Sequence, residues 1–245
     1  MPNPQIPVIV EVCVGDVHSA IVAAEAGADR LELCADLSVG GTTPSLGTVR
    51  TVLRHTRTPL RVMVRPRGGD FHFATSEAEA MRTDIAALRT LDTDRIEVVT
   101  GGLTSARHLD IPLMKSLVDE AGPLPVVFHK AFDEIDDQEE GLETLVDLGV
   151  TSLLTSGGAA TALEGAARLH TLAQRARGRL RLTAAGGIRA HNVAQVLRHT
   201  GIGEIHFRSP SSGSPETTDP GGVHAVLEAL SPSGRTGPPH PGPRR

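Results

Sequence analysis

Two short phrases, Glu11-Val12-Cys13 and Glu32-Leu33-Cys34, each end an apolar run. In an extended strand, residues two apart share a face, so each phrase presents a carboxylate and a thiol on one side. Thiolates are soft donors suited to Cu(I), and the chain has only these two cysteines, so one sulfur pair is all it offers a metal. A small buried hydrophobe is the other common use of cysteine. Arg65, His129 and His206 also stand at the ends of short apolar runs, and Asp133 follows His129 by one turn. Glu11, Glu32, Arg65, His129, Asp133 and His206 together suit proton transfer at carbon, as in an isomerase, epimerase or lyase. The competing readings are a self-neutralising buried network and, for Asp133, a helix cap. Arg65-Pro66-Arg67-Gly68-Gly69-Asp70 is a turn with two guanidiniums and exposed amides. With Thr155-Ser156-Gly157 and Gly186-Gly187, it offers Arg67, Gly68, Gly69, Thr155, Ser156, Gly157, Gly186 and Gly187 to an anion. Glycine in tight turns accounts for the same residues.

The elements that must position these groups alternate regularly. Apolar runs at 8–13, 30–34, 60–65, 96–100, 126–129, 152–155, 180–184 and 204–207 each precede an amphipathic stretch, at 17–26, 45–55, 76–91, 111–121, 138–148, 159–177, 190–199 and 222–230. Thr43-Pro44 reads as N-cap and first residue of the second helix. Gly27, Gly122, Gly149, Gly178 and Gly201 stand where helices should end. Alternation of this kind implies parallel strands, and eight units in one chain of this length imply a single-domain (β/α)8 TIM barrel; an open doubly wound sheet is the alternative. Charged strand residues should then face the lumen rather than lie under the helices. That puts Ile9, Glu11 and Cys13 inside, with Glu32 and Cys34, Met63 and Arg65, Val127 and His129, and His206. On the fourth strand Glu97 and Thr100 cannot both face inward. Lys130, the only strand-end lysine, has the opposite parity to His129.

Composition narrows the function. The 245 residues carry 29 acids against 24 bases, with no Trp or Tyr, which argues against an electrostatic or base-stacking nucleic-acid binder. No apolar run is long enough to span a membrane, and residues 1–7 lack the pattern of a signal peptide, so the expected location is cytoplasmic. Residues 1–7 and the Pro/Gly-rich 231–245 are expected to be disordered around a barrel domain at 8–230. No organic cofactor is expected.

Several stretches resemble one family in order and spacing: Gly27–Cys34 leading into Gly40–Gly47, Val64–Phe71, Phe128–Asp133 and Leu154–Gly157. They resemble the CutC family, the so-called copper homeostasis proteins, over about Val8 to His206. The resemblance implies a TIM barrel, a cytoplasmic homodimer or higher homo-oligomer, and copper handling, with Cys13 and Cys34 as Cu(I) ligands. Lys130 stands where that family usually has arginine, and Phe207-Arg208 where it has small residues. Two partners are therefore open, a copper ion or a small anionic sugar-like metabolite, and the second would make the protein an enzyme or a ligand sensor.

Overall fold

The computed structural model describes residues 8–230; the expected loose ends, 1–7 and 231–245, lie outside the described residues. Strands β1 (Ile9–Val14), β2 (Arg30–Leu33), β3 (Leu60–Met63), β4 (Ile96–Thr100), β5 (Val126–Phe128), β6 (Ser152–Thr155), β7 (Arg181–Ala185) and β8 (Glu204–Phe207) pair in chain order, and β8 closes on β1. All these pairings are parallel, so the architecture is the closed (β/α)8 barrel and not an open sheet. Helices α1 (Val17–Glu25), α2 (Leu46–His55), α3 (Thr75–Arg89), α4 (Ile111–Ala121), α5 (Gln138–Asp147), α6 (Ala166–Ala176), α7 (Val193–Thr200) and α8 (Pro220–Leu230) form the outer layer. A two-stranded hairpin, β9 (Pro210–Ser211) and β10 (Ser214–Thr218), fills the short segment before α8.

Local chemistry explains most boundaries. Gly27 and Gly201, at φ of +97° and +70°, reverse the chain after α1 and α7, a conformation costly to any residue with a Cβ. The cap of α2 differs from the sequence reading. Ser45, not Thr43, accepts the Thr48 amide. Thr43 is drawn off because its amide and hydroxyl both bind the backbone carbonyl of Arg65, and its hydroxyl accepts the Arg65 amide. Helix α6 starts later than its amphipathic pattern, since Gly157 and Gly158 both have positive φ and the Ala162 amide is tied to the Gly186 carbonyl.

The main core lies between strands and helices and holds Val10, Val12, Leu31, Leu33, Phe128, Ile205 and Phe207, the residues strand parity assigns to the helix side. The bottom of the lumen is ionic. Arg61, fully buried, donates to Glu97 (2.8 Å), Glu11 (2.9 Å), Thr183 (3.1 Å) and Ser152 (2.8 Å). Arg30 pairs with Glu11 and with Glu204, and Arg181 with Glu97. Three guanidiniums thus meet three carboxylates. Removing one partner from such a set leaves the buried layer one charge out of balance, at a cost of up to about 3–5 kcal/mol. Arg61→Met is expected to lower the stability measured by urea unfolding by about that amount; a midpoint equal to that of the unaltered chain would show that the network contributes little.

Candidate functional site

Above this floor, Cys13, Cys34, Leu37, Met63, Val99 and Val127 form a second apolar cluster, separate from the main core. Val99 in this cluster settles the parity of β4. Glu97 shares its face and reaches Arg61, whereas the Thr100 hydroxyl donates to the Val64 carbonyl at 3.0 Å. A cavity of about 320 Å³ opens over the cluster at the C-terminal mouth, where Cys13, Glu32, Arg65, His129, Lys130 and His206 meet. This is the end at which barrels of this type carry their sites.

Glu11 is not in the cavity wall; it is fully buried beneath it. One carboxylate oxygen is held by Arg30 and Arg61, and the other lies 2.7 Å from His206 Nδ1. Burial opposes its charge, but Arg61, His206 and Arg30 hold the carboxyl far below the usual range. Glu11 thereby fixes the His206 ring so that Nε2 faces the mouth, 3.8 Å from Glu32 Oε2. A carboxylate behind an imidazole is the standard support of a ligating or proton-transferring histidine. One donor atom each from Cys13, Glu32 and His206 lies within 4.8 Å of the others, and the Cys34 sulfur is 3.7 Å from Glu32.

The electrostatics of this group are mutual. The hydrogen bond from Cys34 leads in pulling the Cys13 thiol well below its ordinary value, with burial opposing and His206 assisting. Cys34, beside Cys13 and buried, with its sulfur 3.7 Å from the Glu32 carboxylate, is pushed up. Burial drives Glu32 up to about 8; His206 opposes this, and the charge of Cys13 adds to it. Burial also disfavours charge on His206, yet Glu32, Cys13 and Glu11 outweigh it and hold the imidazole well above its usual value. The cluster sets a thiol pulled towards losing its proton beside an imidazole pulled towards keeping one, with a soft sulfur and a nitrogen close together.

His129 and Arg65 form the opposite wall. The His129 Nδ1 accepts the Ala131 amide at 3.3 Å, which places the ring proton on Nε2. Burial first, and Arg65 second, push its pKa to about 3, so the ring is neutral. Arg65 donates to three carbonyls, Val39 (3.0 Å), Gly41 (3.2 Å) and Gly69 (2.7 Å), and its guanidinium lies 4.6 Å over the Phe71 ring. The self-neutralising network of the sequence reading is therefore present for Glu11, through Arg30 and Arg61; Arg65 takes no part in it, and Glu32 has no arginine partner among the described residues.

The remaining candidates lie elsewhere. Asp133 turns away from His129: its carboxylate accepts the amides of Ser156 and Gly158 and the hydroxyls of Thr155 and Ser156, and pairs with Lys130. Thr155 and Ser156 are thus bound to an internal carboxylate, and the Gly157 amide binds Thr155. Arg67 is held by Glu77 and Asp70, and Gly68 packs against Val39. Gly69 reaches the cavity wall through its carbonyl on Arg65. Gly186 and Gly187, both at positive φ, shape the turn after β7 and do not line the cavity. The sequence reading passed over Arg30 and Arg61, though each stands two residues before a residue assigned to the lumen, Glu32 and Met63. It also passed over Phe71, Glu134 and Arg208, which line the cavity from loops and the end of β8, where periodicity carries no information.

The CutC family pattern matches residues 8–211. This chain belongs to the CutC family. It is 43% identical over 204 residues to the copper homeostasis protein cutC homolog of Homo sapiens, covering 83% of this chain and 74% of that one. It is 45% identical over 205 residues to a family protein CutC of Bacteroides fragilis, covering 82% and 80%. The crystal structure of the putative copper homeostasis protein CutC from Streptococcus agalactiae superposes with a TM-score of 0.76 at 33% identity, covering 81% of this chain and 97% of that one. Phosphoribosylanthranilate isomerase from Thermotoga maritima shares the fold alone, at a TM-score of 0.58 and 15% identity, covering 92% and 99%. Among the described residues of this CutC chain, no helix is long and apolar enough to cross a membrane.

The neutral, buried His129 has a consequence for pH. Unfolded, this histidine takes up a proton below its ordinary value of 6.5; folded, it resists protonation down to about 3. The unfolded chain binds more protons in that window, so stability falls as pH drops from 6.5 towards 3. The slope from this one group is up to about 1.4 kcal/mol per pH unit. Urea unfolding at several pH values is expected to show a shallower loss in His129→Gln; identical slopes in the two proteins would assign the acid sensitivity to other groups.

Proposed function

We propose that this protein is a copper homeostasis protein that takes Cu(I) as cargo between Cys13 and Cys34, with His206 as a third donor. The observation that carries the reading is the close approach of the Cys13 sulfur, a His206 nitrogen and a Glu32 oxygen, with the Cys34 sulfur 3.7 Å from the same carboxylate. Sulfur and imidazole nitrogen form a soft donor set, which selects Cu(I) over hard cations. The surroundings that pull the Cys13 thiol below its ordinary value favour the thiolate that a metal needs. His206 must release its Nε2 proton to ligate, so uptake of copper releases protons. Glu11, behind the ring, orients it for that role, and the names of the relatives from Homo sapiens and Streptococcus agalactiae point the same way. In the same reading the protein works in the cytoplasm as a homo-oligomer. There thiols stay reduced, and both cysteines are free.

The test is a Cu(I) competition titration of the reduced full chain against a chromophoric chelator. One equivalent is expected to bind tightly, to be lost in the Cys13→Ser/Cys34→Ser double variant, and to weaken roughly 10–100-fold in His206→Gln. Far-UV circular dichroism of each variant checks that the barrel is intact. Binding undiminished in a folded double variant would overturn the reading and leave the cysteines as core residues.

A further inference from the structure

The geometry points to a carboxylate-binding site on the wall of the cavity opposite the cysteines: Arg65 Nε–H and His129 Nε2–H together clamp the carboxylate of a small organic acid. The inference does not rest on the copper reading and uses none of its donor atoms.

Three buried side-chain atoms lack a hydrogen-bond partner among the described residues: Glu32 Oε1, Arg65 Nε and His129 Nε2. All three residues line the same cavity. Buried polar atoms are otherwise almost always satisfied, so a cluster of orphans around one space marks a place where a ligand supplies the partners. Two of the three are N–H donors. The Arg65 donor is charged, and among the described residues it makes no direct ion pair: its other hydrogen bonds end on neutral carbonyls, and Glu134 and Asp70 act on it only through space. Arg65 is 4% exposed and His129 is 3% exposed, so neither exchanges a ligand for bulk water freely. Phe71 holds both in place, with its ring under the guanidinium and 4.9 Å from the imidazole. Gly101 completes the fit, because a Cβ there would come within 2.6 Å of the His129 ring.

One cationic and one neutral donor match a singly charged, two-oxygen group. A phosphate needs more donors, and the loop amides after β6 that would provide them are already taken by Asp133 and Thr155. Glu134 also faces the cavity and disfavours a second negative charge, while Lys130 is bonded to Asp133 and Ser156. Leu37, Met63 and Leu154 offer an apolar surface to the rest of the molecule. The volume, about 320 Å³, is that of roughly ten water molecules, which admits a small organic acid.

The experiment follows the His129 ring resonances of the full chain labelled with ¹⁵N-histidine during titration with pyruvate, L-lactate and inorganic phosphate. Pyruvate or L-lactate is expected to shift the His129 Nε2 signal saturably, and phosphate to do so at least tenfold more weakly. Arg65→Met is expected to weaken carboxylate binding at least tenfold; His129→Phe, read from the remaining histidine signals, is expected to do the same. Arg65→Lys keeps the charge without the Nε–H and is read in place of Arg65→Met if that variant does not fold. No saturable shift with either acid, affinity unchanged in folded Arg65 and His129 variants, or phosphate binding tighter than both acids would each overturn the proposal.

Discussion

The arrangement of the mouth depends on how the barrel neutralises Arg61. A fully buried guanidinium has no water to fall back on, and Glu11, Glu97, Ser152 and Thr183 converge on it from four different strands. Fixing Glu11 there fixes more than the floor. The carboxylate oxygen that Arg61 and Arg30 leave over meets His206 Nδ1, so the charge balance beneath sets the direction of a ring above. The ionic layer and the site are one connected structure. A change in the floor is therefore felt at the mouth without touching anything that lines it.

Much of this was legible in the sequence. Strand alternation gave the barrel, and the two-residue period put Cys13, Met63 and Val127 on one face of their strands and Phe128, Ile205 and Phe207 on the other, as the structure has them. The same period carried Arg30 and Arg61 into the lumen. What obscured them was the expectation that charge gathers at the open end, whereas here half of it forms a closed layer below. Thr43 and Asp133 were misjudged for another reason. Each has a local role by sequence, a helix cap or a support for a nearby histidine, and each is claimed by a partner distant in the chain, Arg65 or the β6 loop. Local propensity yields when a buried backbone group needs a partner.

The two walls of the cavity differ in kind. On one side the Cys13 thiol, the His206 imidazole and the Glu32 carboxyl shift one another's proton affinities, so they titrate as a group. On the other a neutral histidine and a cationic arginine are set by rigid contacts with backbone and with Phe71. Family membership bears on the first wall, through what the relatives are named for. The second wall follows from unsatisfied atoms alone, and the fold shared with distant barrel enzymes adds nothing to it beyond the scaffold.

The three carbonyls on Arg65 come from two separate loops, Val39 and Gly41 after β2 and Gly69 after β3. The side chain therefore works as a rivet between them, and the direction of its Nε–H is set by those three bonds. Little rotamer entropy is left to lose at that position when a partner binds. The mouth of this barrel is in this respect preset: one side chain pins the loops after β2 and β3 to each other.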